Sequence, residues 1–422
     1  MNSLKTYKFS DLYEMSSGIS STPKQAGHGS PFLSFSAVFG NYFLPEKFDD
    51  LMQTSDLEQK KYSVLEGDIF LTRTSETIDE LGMSSVAVKN YPNATYSGFL
   101  KRLRPTQKNV TYHKFMGFYL RSKLFRKTMT NNAVLTLRAS LNEDIFSYLN
   151  LIIPDYNEQV KIGDLFYLLS QKIDLNNRVN VELEKMAKTI YDYWFVQFDF
   201  PDEDGKPYKS SGGKMVWNEK LKREIPLGWE VKKIGDFGEF KNGINYDPSL
   251  EGNIDAKIIN VRNISSSNLF VSQYDLDTIK LQKSNVNNYL VTDRDILIAR
   301  SGIPGATRMM FEFAENTIYC GFIIRFQVNN LIEKNYLFYF LKDMEKNTTS
   351  KSGGTIMPNV NQDTMKRMLV IEPNEKIVIK FNEFIHPVFS KMNSIIQENQ
   401  KLTKLRDWLL PMLMNGQVKV LD

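Results

Sequence analysis

Two short stretches carry the side chains best suited to recognition chemistry. Thr72, Arg73, Thr74 and Ser75 follow one apolar run, and Arg300, Ser301 and Gly302 follow another. An arginine can bridge the two acceptors of a guanine, and a hydroxyl can bond a phosphate or a base edge. The equally weighted alternative is a turn whose arginine caps carbonyls. A second set, Lys351-Ser352-Gly353-Gly354-Thr355, aligns with Thr130-Asn131-Asn132. Glycines let a backbone approach phosphate closely and lysine adds charge; a flexible surface loop is the competing reading. Ser16-Ser17-Gly18 and Lys241-Asn242-Gly243 form a third matching pair, better suited to a tight turn.

Charge favours a polyanionic partner for the first half. From Leu81 to Asn142 there is no Asp or Glu, while the same 62 residues hold eleven Lys and Arg, among them Lys101, Arg102, Arg104 and Arg138. Such a tract is an electrostatic footprint for nucleic acid, weighed against a merely solvated basic face. The aligned stretch of the second half, Arg300 to Asn361, has seven basic and five acidic residues, so the field is asymmetric.

Catalytic signatures are scarce. Asp202, Asp204 and Lys206 resemble a nuclease cluster, but they crowd one loop too tightly for carboxylates on separate strands to share a metal. Gly212-Gly213-Lys214 runs into Met215, where a phosphate loop needs Ser or Thr. His28, His113 and His386 are scattered, and the single Cys320 makes neither a zinc cluster nor a disulfide framework. No glycine-rich turn follows a strand to hold a dinucleotide or adenosyl cofactor, and no G-x-S-x-G elbow appears. The expectation is a binding protein that holds no cofactor and no metal. No apolar run approaches the length of a membrane span. Met1–Met15 lacks the apolar core of a secretory leader, and one cysteine suits a reducing compartment. A cytoplasmic location is expected.

The elements that must position these loops are duplicated. Phe9–Ile19 reads like Ile234–Ile244, 225 positions on; Glu66–Ser75 reads like Asp293–Gly302, 227 on. Gly98–Arg104 matches Gly321–Gln327 at 223, Phe118–Leu120 matches Tyr339–Leu341 at 221, and Asn142–Asp144 matches Asn361–Asp363 at 219. Within each half the pattern predicts strands at Asp68–Arg73 and Asp295–Arg300, Ser85–Val88, Phe99–Leu103, Thr317–Tyr319 and Phe322–Val328. It predicts helices from His113 to about Met129 and from Asn335 to Glu345. Leu149–Ile153 and Met368–Ile371 read as closing strands, stopped by Pro154 and Pro373. Asp155 or Asn157, and Asn374, are candidate N-caps for the helices beyond the prolines.

Each half then ends in a long helical pattern. Leu165, Leu169, Ile173, Asn176, Asn180, Leu183, Ala187, Ile190 and Trp194 recur at alternating four- and three-residue spacing, which is a coiled-coil seam. Phe384, Val388, Met392, Ile395, Asn399, Leu402, Arg406, Leu409 and Leu413 repeat it 219 positions later. Each seam needs a partner, and the other is the nearest candidate. Asn180 and Asn399 occupy equivalent seam positions, where asparagine fixes register and could pair across antiparallel helices. Trp194, Phe195, Trp408 and Leu410 end the helices with apolar bulk, either core or docking surface. Pro201–Trp229, rich in Pro, Gly, Ser and charge, reads as a linker or ordered loop. A helix of about 40 residues spans roughly 60 Å, more than one turn of B-form DNA.

The sum is an α+β protein of two similar α/β domains and two long antiparallel coiled-coil helices in tandem repeat. The boundaries are a first domain at 1–155, a helix at 156–198, a linker at 199–228, a second domain at 229–373 and a final helix at 374–417.

This organisation resembles the DNA specificity subunits of type I restriction–modification systems. The likeness rests on Ile225-Pro226-Leu227-Gly228-Trp229-Glu230 opening the second domain, on Ala299–Gly302 closing a strand, and on Asn157-Glu158-Gln159 and Asn374-Glu375-Lys376 after the closing prolines. It also rests on Leu409–Gly416 ending the last helix. Two departures stand out: the first domain lacks the P-x-G-W entry, and Lys376 replaces the usual Gln. The resemblance implies two target recognition domains, each reading half of a bipartite, asymmetric site in double-stranded DNA, with the helices setting the spacer. It implies partners that do the chemistry: two modification subunits that bind S-adenosylmethionine and methylate adenine, and restriction subunits, ATP-dependent translocase–nucleases. No methyltransferase motif of the N-P-P-Y or D-P-P-Y type is present, which disfavours a fused methyltransferase or nuclease. A coiled-coil scaffold for other proteins is the remaining alternative.

Overall fold

The computed structural model describes residues 4–20, 23–75, 80–132, 139–140, 143–246, 252–267, 269–311, 315–349 and 361–420. The apolar runs nucleate the domains because they have no polar face. Every residue of Ile69–Thr72 and of Asp295–Ala299 is buried, so each strand must be covered on both sides. Each lies inside a four-stranded antiparallel sheet. In the first half the order is Tyr13–Ser17, Leu100–Pro105, Ile69–Thr72, Ser84–Val86. In the second it is Gly238–Asn242, Ile323–Val328, Asp295–Ala299, Thr307–Met309.

The duplication extends to a smaller sheet, of whose strands the sequence pattern predicts Thr317–Tyr319 alone. Ala26–Leu33 lies between antiparallel Leu51–Met52 and parallel Thr95–Tyr96. Ile254–Ile259 lies between antiparallel Asp277–Leu281 and parallel Thr317–Tyr319. The opening strand of each domain then pairs with its closing strand. Lys5–Lys8 runs antiparallel to Asn150–Ile153, and Glu230–Lys233 runs antiparallel to Leu369–Glu372. The predicted strands are present, displaced by a residue or two at their ends.

The helix expected from His113 to Met129 is two, His113–Tyr119 and Lys123–Asn132. Ser122 makes the break: its Oγ donates to the Tyr119 carbonyl at 2.6 Å and accepts from Phe125 N at 3.3 Å, starting a new helix. The second half has no such serine, and Lys334–Thr349 runs unbroken.

The long helices are Tyr156–Tyr191, closed by a π turn at Asp192–Val196, and Glu375–Met414. Asp155 Oδ1 accepts from Glu158 N, and Asn374 Oδ1 accepts from Lys376 N. The capping residue of the first helix is therefore Asp155 rather than Asn157. This places the two helix starts 219 residues apart, so the departure from the usual Gln lies at Val378 rather than at Lys376. At that offset Gln159 faces no lysine counterpart; its equivalent is Val378. Both are buried. Gln159 Nε2 donates to the carbonyls of Val110 and Pro154, and its Oε1 accepts from Tyr112 N.

The chain divides into two compact units, Met1–Leu175 with Glu398–Asp422, and Asn176–Gln397. In the first, Ile162 and Phe166 at the start of one long helix share a core with Leu413 and Met414 at the end of the other, against Phe115, Phe118 and Tyr119 of the domain. Leu165, Leu169, Leu409 and Leu410 pack around it. Asn399 Nδ2 donates to the Ile173 carbonyl at 3.5 Å, so this bond goes to backbone rather than to Asn180. Leu402 is half-buried.

In the second unit the opposite ends meet. Ala187, Tyr191, Trp194 and Phe195 pack with Val378, Phe381, Ile385, Val388 and Met392, and Leu183 and Ile190 lie against them. The antiparallel arrangement of the helices is the consequence of these two sets of contacts. The second seam takes in Phe381 and Ile385 as well as Phe384, which is 57% exposed but meets the Trp194 ring edge-on at 5.6 Å. Asn180 is half-buried, and its Oδ1 has no hydrogen-bond partner among the described residues.

Trp194 and Phe195 prove to be core, whereas Trp408 stays 59% exposed. The segment from Pro201 to Trp229 is an ordered loop. Its hairpin, Met215–Asn218 with Arg223–Pro226, comes after Phe198 and Phe200, whose rings pack on Trp229.

Candidate nucleic-acid interface

The strand-end loops of the two domains are built alike, and the likeness is in the backbone. Beyond the buried central strand, Arg73 N donates to the Phe99 carbonyl at 2.9 Å, and Arg300 N donates to the Phe322 carbonyl at 2.9 Å. Ile19 N donates to the Tyr96 carbonyl and Ile244 N to the Tyr319 carbonyl, at 2.9 and 3.0 Å. Three chain segments thus meet at one edge of each domain. Gly18 and Gly243 permit the meeting. A Cβ on Gly18 would stand 2.3 Å from the Ser97 carbonyl oxygen, and one on Gly243 would stand 2.2 Å from that of Cys320. The third matching pair is therefore a point of close backbone approach, not the tight turn its composition suggested.

Arg73 is exposed, and its guanidinium makes no hydrogen bond or ion pair among the described residues. Arg300 is also exposed; one of its Nη atoms reaches the Gly321 carbonyl at 3.3 Å and leaves the rest of the fork outward. Ser301 and Gly302 continue into a loop, with Gly302 at φ 75°. Thr74–Ser75 forms a two-residue strand against Ala139–Ser140. Asn131 and Asn132 end the helix Lys123–Asn132. Arg138, Lys351, Ser352, Gly353 and Thr355 lie outside the described residues.

The remaining candidates face inward. Thr72 is fully buried, and its Oγ1 accepts from Met83 N at 2.9 Å. Lys101 is buried with its Nζ 2.8 Å from Ser17 Oγ. Arg102 is buried, donates to the Ser63 carbonyl at 2.9 Å and lies over the Tyr96 ring at 5.4 Å. Its counterpart Arg325 repeats this, donating to the Leu290 carbonyl at 3.1 Å and lying 5.8 Å from the Tyr319 ring. Arg104 grips Asp68 with two parallel bonds, Nε to Oδ1 at 2.7 Å and Nη2 to Oδ2 at 2.6 Å. Its counterpart Gln327 donates to Asp295 Oδ1 at 3.0 Å. With an amide in place of the guanidinium, burial pushes the Asp295 carboxyl up from its usual range, against the pull of Arg325.

The acid-free tract therefore spends part of its charge internally. Arg121 donates to the carbonyls of Ser84, Val38 and Phe39, and burial lowers its pKa to about 10. Lys114 pairs with Asp164 at 2.7 Å. Lys89, Lys108, Lys123 and Lys127 remain exposed as the outward part of the field. The sequence could not separate these two classes, because a basic side chain's engagement depends on which acid or carbonyl the neighbouring strand brings opposite it.

Asp202, Asp204 and Lys206 form a turn: Asp202 Oδ1 accepts from the backbone N of both others. Among the described residues, no three His, Cys, Asp or Glu side chains gather where they could hold a metal ion. No helix among them is long and apolar enough to cross a membrane.

Comparison with known proteins bears on this arrangement. The family model described as the type I restriction modification DNA specificity domain matches residues 30–185 and again 226–404. The specificity subunit of the type I restriction enzyme MjaIX from Methanocaldococcus jannaschii is 24% identical over 341 residues, 79% of this chain and 75% of that protein. The specificity subunit of the type I restriction enzyme HindI from Haemophilus influenzae is 25% identical over 333 residues, 65% of this chain and 70% of that protein. The crystal structure of the S subunit of a type I restriction-modification system from M. genitalium superposes with a TM-score of 0.58 at 13% identity, covering 98% of this chain and 96% of that one.

Proposed function

Because the chain belongs to the type I restriction–modification DNA specificity family, we propose that each of its two domains reads one half of a bipartite, asymmetric DNA site. The chain is the specificity component and not the catalyst of its system. Family membership displaces the scaffold and fused-enzyme alternatives.

The observation that carries the half-site reading is the duplicated strand-end loop, with Arg73 exposed in one domain and Arg300 in the other at the same backbone position. Two copies of one recognition framework, each with its own loop sequence, suit two unrelated half-sites. Thr74, Ser75, Ser301 and Gly302 flank those arginines. Asn131, Asn132, Arg138 and the loop Lys351-Ser352-Gly353-Gly354-Thr355 serve as phosphate contacts in this reading. Thr72, Lys101, Arg102 and Arg104 hold the framework behind them. Two modification subunits would bind S-adenosylmethionine and methylate adenine, restriction subunits would cleave, and all would work in the cytoplasm.

Methylome sequencing of host DNA with and without the chain tests this. A methylated bipartite motif that vanishes with the chain is expected; an unchanged methylome sinks the reading. Arg73→Ala and Arg300→Ala should each relax one half-site, by about 1–3 kcal/mol if the contact is bidentate. Unaltered discrimination after both replacements removes these residues from the interface.

The helices set the spacer in this proposal, so inserting whole turns into both should lengthen the unread spacer and leave both half-sites unchanged. A changed half-site with the original spacer would contradict a ruler.

A further inference from the structure

Beside each strand-end arginine stands an aromatic ring in water. Phe99 is 66% exposed and Phe322 is 62% exposed. Single exposed apolar residues are ordinary. A matched pair is not, because solvent-exposed positions are the freest to drift after a duplication. Here the flanking residues have diverged, Leu100-Lys101 against Ile323-Ile324, while Gly98-Phe99 and Gly321-Phe322 are the same dipeptide.

The backbone holds both rings outward. Gly98 N donates to the Ile19 carbonyl and Gly321 N to the Ile244 carbonyl, each at 2.7 Å. Both glycines sit close to their neighbours: a Cβ on Gly98 would lie 3.0 Å from the Ile19 oxygen, and one on Gly321 would displace the Asn245 side chain, whose Oδ1 would be 1.8 Å away. Leu100 and Ile323 are fully buried and begin their strands, so each ring belongs to the turn residue just before the strand, outside the buried run. Its carbonyl is the group that accepts from Arg73 N or Arg300 N, which makes ring and guanidinium cross-strand neighbours.

We propose that Phe99 and Phe322 are specificity-determining contacts, each packing its ring against base edges in the half-site read by its own domain. The inference rests on the DNA-reading function proposed above. A guanidinium satisfies guanine acceptors, and an adjacent apolar ring complements a thymine methyl group. The two together read a step that neither reads alone. A ring held by a pinned backbone loses little freedom on binding.

The test uses the full-length chain assembled with its modification subunits and a pool of randomised DNA duplexes, with sequencing of the bound fraction. Wild type should enrich one bipartite motif. Phe99→Ala should lose preference at one half-site and Phe322→Ala at the other, by about tenfold at the affected positions. The salt dependence of binding should stay unchanged, since no phosphate contact is removed. Phe99→Leu and Phe322→Leu keep an apolar contact and should retain most of the preference. Both rings are exposed, so melting temperatures should not move.

Enrichment identical to wild type in both alanine variants overturns the proposal. So does a uniform loss across all sequences, or a loss of modification subunits from the complex, which would make the rings a protein-docking surface. Failure of the wild type itself to enrich any motif defeats the underlying DNA-reading function instead.

Discussion

Replacing Arg104 with alanine is expected to destabilise the first unit by about 3–5 kcal/mol while leaving half-site choice intact in the folded fraction. Asp68 is 1% exposed and accepts both bonds of the Arg104 fork, plus one from Leu65 N at 2.8 Å. Without the guanidinium, a desolvated carboxylate keeps one amide donor, and the uncompensated charge sets the cost.

The second domain supplies a milder variant of the same experiment. There Gln327 stands at the position of Arg104 and donates to Asp295. Arg104→Gln should therefore cost less than Arg104→Ala. The sign at Asp295 runs opposite to that of a paired carboxylate. Its folded pKa is raised above 3.8, so its stabilising contribution is complete below the unfolded value and is lost as pH rises through the raised one. Thermal unfolding of the full chain near neutral pH measures both variants. A melting temperature equal to wild type for Arg104→Ala would mean that the pair contributes nothing.

Phe381→Ala should cost about 3–5 kcal/mol in the second unit, or roughly 10 °C in melting temperature. Phe381 is fully buried at the start of the second long helix. Its ring centroid lies 5.0 Å from that of Phe195, edge-on at 84°, and 5.9 Å from that of Trp194. Tyr191 and Tyr339 complete the nest at 6.4 and 6.5 Å. Those partners come from the end of the first long helix and from the domain, so one truncation removes packing from three elements. The aromatic neighbours are too rigid to collapse into the space. Calorimetry on the full chain would show the drop, and a shift of a degree or two would mean the cluster relaxes around the hole.

The duplication was legible because its strongest blocks are strands with no exposed face. A run such as Asp295–Ala299 tolerates little besides apolar side chains, so both copies still look alike. The long helices were legible from seam spacing, and their equivalence from the capping Asp155 and Asn374. Mispairing Asn157 with Asn374 slipped the helix starts by two residues, since similar triplets are weaker markers than a cap bond. Spacing places Phe384 in the seam, and its ring does meet Trp194; the deeper burial of Phe381 and Ile385 was not legible, because it depends on the domain against which they turn. The small three-stranded sheet of the first domain was not legible because Ala26–Leu33 is half exposed and carries two glycines and a proline. At the candidate interface, Arg73 and Arg102 look equivalent as letters. Only the sheet register decides that one points to water and the other lies over Tyr96.

Synthesis runs from the first residue to the last, and the core of the first unit does not. Leu413 and Met414 sit in that core beside Phe166 and Phe118. The domain that leaves the ribosome first therefore keeps the part of its core filled by Leu413 and Met414 open until those residues have been made. During that interval the entire second unit has been synthesised and can fold, since its own two helix segments are already present. The last packing step of the first unit then follows the synthesis of the second, and the apolar patch left open until then is a site for aggregation.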